Sequence, residues 1–277
     1  MTLLAVDIGN TNVSLGVFGD GSLTGSWRAT TQADATPDEV AAEVSALLAL
    51  DGFDPAALEG VAVASVVPPL SAAWRRYVTR YMHVDPLFID AAALGGVLAI
   101  DIDRPAEAGA DRLCNALAAG VEVGGPAIVV DLGTSTNFDV IDASGAYIGG
   151  AIAPGLGLSL EALVGRASKL PRIDLRRPER AIGASTVAAM QSGTVLGYIG
   201  LVSGLLTALR TELLERSPQG SRVTVVATGG YTAEPWLSEV PGIDRVEPDL
   251  TLHGINYAWE RIRAAAAAPS HQQATAR

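Results

Sequence analysis

The feature that most restricts what this chain can fold into is an internal repeat: residues 3–23 lie over residues 127–147 at a constant offset of 124. Asp7 meets Asp131, Gly9 meets Gly133 and Gly21 meets Gly145. Each copy reads as an apolar strand, an Asp-x-Gly turn rich in hydroxyl and amide side chains, a second strand, and a Gly-containing turn into a third. A duplicated strand meander in 277 residues predicts two related halves, each large enough to bury its own core.

Helix signals follow each meander. Thr36-Pro37-Asp38-Glu39 supplies a cap, a Pro at the first helical position and a Glu that closes a capping box, which predicts a helix through residue 50. Residues 60–67 read as a buried strand stopped by Pro68-Pro69, and residues 70–82 as an amphipathic helix. A helix over 105–123 leads into the second copy. Helices at 159–167 and 185–215, a strand at 222–228 and a closing helix at 250–264 complete the pattern. The expected fold class is therefore α/β: two domains, 1–120 and 121–264, each a mixed sheet with flanking helices, with a nucleotide cleft between them. The Ala-, Gln- and Ser-rich residues 265–277 are expected to form a disordered tail.

A formal charge of −11 repels phosphate backbones and argues against a nucleic-acid partner. Three His and one Cys cannot assemble a common zinc site, and the lone Cys114 has no internal disulfide partner. A reducing, cytoplasmic setting fits this composition. Residues 181–209 are free of charge, but Ser185, Thr186, Gln191, Ser192, Thr194, Ser203 and Thr207 interrupt them, so they predict a buried helix rather than a membrane span.

The paired turns carry the clearest chemistry. A tight turn between strands presents successive backbone N–H groups to phosphate oxygens, and Gly9 and Gly133 permit an approach that a side chain would block. Thr11, Asn12, Thr134 and Thr136 add side-chain donors. A carboxylate beside a triphosphate needs a cation between them, so Asp7 and Asp131 are expected to hold Mg²⁺ or another cation. One isolated Asp-x-Gly would read as a plain hairpin turn; its duplication after the two most apolar strands favours the phosphate reading.

Gly109-Ala110-Asp111-Arg112 offers a proton acceptor and an anion partner in adjacent positions, or else a solvated charge pair. Thr228-Gly229-Gly230 suits either close passage of backbone beside an adenine or ribose, or a strand-to-helix turn with positive φ. Gly149-Gly150-Ala151-Ile152-Ala153-Pro154-Gly155 brings backbone close to a ligand or to another strand. Cys114, His83 and His253 read as structural.

With these motifs in order, the sequence resembles the type III pantothenate kinases of the actin-like, sugar-kinase and heat-shock ATPase superfamily. The likeness runs from residue 3 to about 263 and includes Ser65-Val66-Val67-Pro68-Pro69-Leu70 and Met190-Gln191-Ser192-Gly193 besides the motifs above. It implies ATP-dependent phosphorylation of pantothenate, the first step of coenzyme A biosynthesis, with Mg²⁺ and a monovalent cation, K⁺ or NH₄⁺, in a homodimer. It further implies that Asp7, Ile8, Gly9, Asn10, Thr11, Asn12, Val13, Ser14 and Thr134 bind ATP. Asp131 would hold the monovalent cation. Gly109, Ala110, Asp111, Arg112 and Thr186 would bind pantothenate, with Asp111 as proton acceptor. Ile102, Arg104, Asn137 and Ser185 depart from the family pattern, which leaves two alternatives: a degenerate member with a regulatory or interaction role, or a kinase for another small alcohol.

Overall fold

The computed structural model describes residues 1–267. Residues 268–277 of the expected tail lie outside the described residues, while 265–267 belong to the closing helix. The chain forms two five-stranded mixed sheets with flanking helices. Two compact units result: Met1–Ala99, Arg104–Ala118 and, among the described residues, 251–267 form the first, and Ile100–Asp103 with Ala119–Leu250 the second.

In the first unit, β1 (Thr2–Ile8), β2 (Asn12–Gly19) and β3 (Ser22–Thr30) form the expected meander, and β4 (Gly60–Ser65) and β5 (Leu87–Ile89) add in parallel beyond β1. Period-2 alternation sends Leu4, Val6, Ile8, Val13, Leu15 and Val17 to one face. There they meet Val40, Val44 and Leu48 of α1 (Pro37–Leu50) and Leu70, Trp74 and Tyr77 of α2 (Pro68–Tyr77). The capping box of α1 forms as expected: Glu39 N donates to Thr36 Oγ1, and the Glu39 carboxylate accepts from Thr36 N. Pro68 and Pro69 open α2 rather than merely ending the strand before it, because a Pro at the first helical positions gives up no helical hydrogen bond.

The other face of this sheet is covered by α3 (Ala110–Glu122) and α7 (Leu250–Ala267). Chain order groups α7 with the second half, yet from Thr251 it packs in the first unit. The sheet accommodates it through small residues. A Cβ on Gly16 would lie 3.1 Å from Leu252 Cδ1, and one on Gly60 would lie 2.7 Å from the Trp259 ring. The two helices also touch closely, since a Cβ on Gly254 would lie 2.0 Å from the Cys114 carbonyl oxygen.

In the second unit, β6 (Ala127–Leu132), β7 (Ser135–Ile141) and β8 (Tyr147–Pro154) repeat the meander, and β9 (Thr224–Thr228) and β10 (Arg245–Val246) extend the sheet in parallel beyond β6. After β8 come α4 (Leu156–Arg166), α5 (Thr186–Gln191), a π-helical turn at Ser192–Leu196 and α6 (Gly197–Glu215). Val195, Tyr198, Val202, Leu206 and Leu213 pack on Ile128, Val130, Leu132 and Phe138 to form the core. The helical stretch Thr186–Glu215 has the length and apolar composition to cross a bilayer, and only 28% of its most apolar part is buried. The charge-free segment is thus a core helix along one stripe and not buried all round, as its sequence suggests. Gly193, Gly197, Gly200 and Gly204 have no atom within 4 Å of a Cβ position.

Candidate active site

The first Asp-x-Gly turn closes where β1 gives way to β2. Gly9 N donates to Asn12 O at 3.0 Å, and a Cβ on Gly9 would lie only 3.1 Å from that oxygen. Thr31, just past β3, ties the turn twice: its N–H donates to Thr11 O at 2.9 Å and its Oγ1 to Gly9 O at 2.6 Å. Asn10, Thr11 and Asn12 are exposed. Ile8 and Val13 are buried in the core, so they can offer a ligand only backbone groups. Asp7 stands opposite Ser14 in the antiparallel register, on the face covered by α3 and α7, and one oxygen of its carboxylate is buried.

Helix α3 carries the next group of candidates. It begins at Ala110, three residues later than Pro105–Glu107, which form a separate single turn. Gly109 therefore precedes the helix, accepting from Leu113 N at 3.1 Å, and Asp111 sits in the first turn. A Cβ on Gly109 would lie 2.4 Å from Asp111 Oδ1, so glycine leaves the carboxylate room to fold back and accept from Arg112 N at 2.9 Å. Burial raises the proton affinity of Asp111 above the usual carboxylate range, although the N–H and the charge of Arg112 oppose the shift. Cys114 lies beneath and is fully buried. Its thiol is pushed well up, first by burial and then by the charges of Asp7 and Asp111, so it stays neutral. Asp7, Asp111 and Cys114 are thus within electrostatic reach of one another on one side of the first sheet, whereas the sequence alone leaves Asp111 free to be a solvated charge.

The second turn is similar but one residue shorter. Leu132 pairs with Thr136 where Ile8 pairs with Val13, and Gly133 N donates to Ser135 O at 3.0 Å. The constant offset of the repeat therefore slips by one across the turn. Two distant glycines pack against it. A Cβ on Gly155 would lie 2.3 Å from Thr134 O, while Gly155 N donates to that oxygen at 3.1 Å. Gly229, with φ at +94°, would place a Cβ 2.4 Å from Asp131 Oδ1. Gly229 takes the positive φ that one reading of Thr228-Gly229-Gly230 expects, and it approaches Asp131 closely. Thr134 is exposed, but Thr136 is not a phosphate donor as expected: fully buried, it bonds the Tyr198 hydroxyl at 2.6 Å and Pro154 O at 3.2 Å. Burial also pushes the Tyr198 hydroxyl up to about 12.

The profile of the family described as Type III pantothenate kinase matches residues 3–208. A protein of that description from Thermomicrobium roseum is 46% identical over 260 residues, covering 94% of this chain and 97% of its own length. The chain belongs to the type III pantothenate kinase family. Another member, from Moorella thermoacetica, is 44% identical over 259 residues, covering 94% of this chain and 99% of its own. Among solved structures, the fold is similar to the activator of 2-hydroxyisocaproyl-CoA dehydratase from Clostridium difficile, bound to ADPNP. The TM-score is 0.53 at 14% identity, over 96% of this chain and 97% of that one. It is also similar to the ethanolamine utilization protein EutJ from Carboxydothermus hydrogenoformans, with a TM-score of 0.53 at 16% identity over 93% and 89% of the two chains. These likenesses are of fold alone, the two five-stranded mixed sheets with flanking helices.

The departures from the family pattern have local explanations. Ser185 still caps α5, accepting from Ala188 N at 3.2 Å, and leaves Thr186 exposed at the first helical position. Arg104 pairs with Glu107 at 2.9 Å, so this cation is engaged within its own turn. Ile102 packs beside Gly149, whose Cβ would lie 3.8 Å from Ile102 Cγ2. Asn137 stands opposite Asp131 and accepts from Ser135 Oγ at 3.1 Å.

Among the described residues, no cluster of three or more His, Cys, Asp or Glu forms an all-protein metal site. The chain instead has single carboxylates, Asp7 and Asp131, each on the strand that leads into one of the paired turns. Hard oxygen donors in such small number fit Mg²⁺ or an alkali cation that keeps water and phosphate oxygens in its shell.

Proposed function

We propose that this chain transfers the γ-phosphoryl group of ATP to the terminal hydroxyl of pantothenate, giving 4′-phosphopantothenate and ADP at the entry to coenzyme A biosynthesis. Family membership names the reaction, and the observation that carries its assignment to these residues is the partly buried Asp111 carboxylate in the first turn of α3, folded back onto Arg112 N and raised in proton affinity. A base whose pKa is raised takes a hydroxyl proton more readily.

In this reading Asp7, Gly9, Asn10, Thr11, Asn12 and Ser14 bind the nucleotide through backbone N–H groups and polar side chains. Ile8 and Val13 contribute backbone alone, and Thr134 acts from the second turn. Gly109, Ala110, Arg112 and Thr186 hold pantothenate, with the Arg112 guanidinium on its carboxylate. The pantothenate hydroxyl oxygen attacks the γ-phosphorus, Asp111 takes the proton, and ADP departs with the electrons of the broken bond. Mg²⁺ near Asp7 and K⁺ or NH₄⁺ near Asp131 would supply charge stabilisation to the phosphate oxygens when bound. The protein works in the cytoplasm as a homodimer, as the family resemblance implies.

An acceptor screen tests this reading. With ATP, Mg²⁺ and K⁺ or NH₄⁺, ADP release is expected to depend on pantothenate and to be absent with hexoses and polyols. Chelation of Mg²⁺ by EDTA should abolish it, and replacement of K⁺ or NH₄⁺ by Na⁺ should slow it. A polyol that outperforms pantothenate would overturn the substrate assignment.

A further inference from the structure

Strand register brings one more charged residue to the row of the first turn. Asp7 of β1 pairs with Ser14 of β2, and Ser14 pairs with Arg28 of β3. Directly paired residues share one face of a sheet, so Asp7, Ser14 and Arg28 form a line across it, on the side where α3 presents Asp111. Two observations place Arg28 on this side. Its neighbour Trp27 packs against the opposite core, and Ser14 alternates with Val13 and Leu15, which belong to that core.

The position of Arg28 is fixed relative to the turn. Thr31, three residues on, holds the Gly9 and Thr11 carbonyls, and Thr30 pairs with Asn12. Arg28 is exposed and makes no ion pair within 4 Å among the described residues. It lies on an edge strand two strands from Asp7, about 10 Å away by ordinary strand spacing. A long side chain can bridge that separation to a ligand lying over Ser14. In the second unit the matching line is Asp131, Asn137 and Ile152, so the cation occurs in the first copy alone.

We propose that Arg28 binds the terminal phosphates of the nucleotide, reaching over Ser14 to the β- and γ-phosphate oxygens. A planar guanidinium suits this role because it offers several donors in a fixed fork that matches phosphate oxygens. It also supplies positive charge where the chain as a whole, at −11, repels a polyanion. The inference rests on the reading that the nucleotide phosphates occupy the first turn.

Arg28→Gln and Arg28→Lys test it against the intact enzyme. For Arg28→Gln, kcat/KM for ATP is expected to fall about 10- to 100-fold, with KM for pantothenate unchanged; Arg28→Lys should restore part of the loss. Binding supplies the readout that a structural role would not move. Affinity for a non-hydrolysable ATP analogue should fall about 10-fold or more, affinity for ADP should fall less, and affinity for adenosine should hold. Equal losses for all three ligands, or ATP kinetics within twofold of the parent, would overturn the proposal. If Asp7→Asn and Thr11→Val also leave ATP binding unchanged, the phosphate reading of the turn fails; if they weaken it and Arg28→Gln does not, only the role of Arg28 fails.

Discussion

Asp111→Asn is expected to lower kcat by about 10²- to 10⁴-fold, the range for losing a positioned proton acceptor, while KM for ATP stays close to that of the parent. Asparagine keeps the shape of the side chain and its hydrogen bond from Arg112 N, but it cannot take the hydroxyl proton. The pH dependence follows from the direction of the shift. Burial raises the pKa of Asp111, and the base works as the carboxylate, so kcat should fall as pH drops through that raised value. The acid limb in the parent therefore lies above the ordinary Asp range, and Asp111→Asn should lack it. Stability should move the other way. Above its folded-state pKa, an ionised carboxylate held away from water favours the unfolded chain, and the penalty disappears as pH falls below the unfolded value. The neutral amide should thus leave the protein at least as stable at pH 7 while turnover collapses. Paired kcat profiles and urea titrations check both halves; a destabilised variant that retains turnover would contradict the assignment.

Gly229→Ala is expected to be the most damaging of the glycine substitutions next to the site. At φ +94° and ψ 175°, Gly229 occupies a region that is essentially glycine-only. A Cβ there would also lie 2.4 Å from Asp131 Oδ1 and 2.8 Å from the Leu132 backbone. Backbone strain and overpacking each cost about 1–3 kcal/mol, so a loss of about 2–6 kcal/mol is expected. That is a large part of the stability of an ordinary domain. Because the clash falls on Asp131 and on the backbone of the second turn, cation dependence and ATP affinity should be lost even where the protein remains folded. Gly120→Ala is the control, since Gly120 lies inside α3 with nothing within 4 Å of a Cβ position. A urea midpoint for Gly229→Ala equal to that of Gly120→Ala would show that the contact with Asp131 carries no weight.

Much of the fold is legible in the sequence because its signals are local. The meander repeat, the Thr36–Glu39 capping box and the apolar run of β6 each depend on neighbours a few residues apart. What escapes the sequence depends on partners far along the chain. Thr136 resembles a phosphate donor until Tyr198, 62 residues on, claims its hydroxyl. The packing of α7 against α3 rests on the absent side chain of Gly254 beside Cys114. The site divides in the same way. Asp7, Gly9, Asp131 and Gly133 stand out through duplication, and Asp111 through its place in a motif. Thr31 and Arg28 have no motif of their own; only strand pairing and the hydrogen bonds of Thr31 bring them to the turn.

The most direct test of the central claim is the identity of the product. Purified protein incubated with ATP, Mg²⁺, pantothenate and K⁺ or NH₄⁺ should yield ADP and 4′-phosphopantothenate in equal amounts, with phosphorus NMR placing the new phosphate on the terminal hydroxyl. Nucleotide binding without any phosphorylated pantothenate, across the cations and across neutral to mildly alkaline pH, would contradict it.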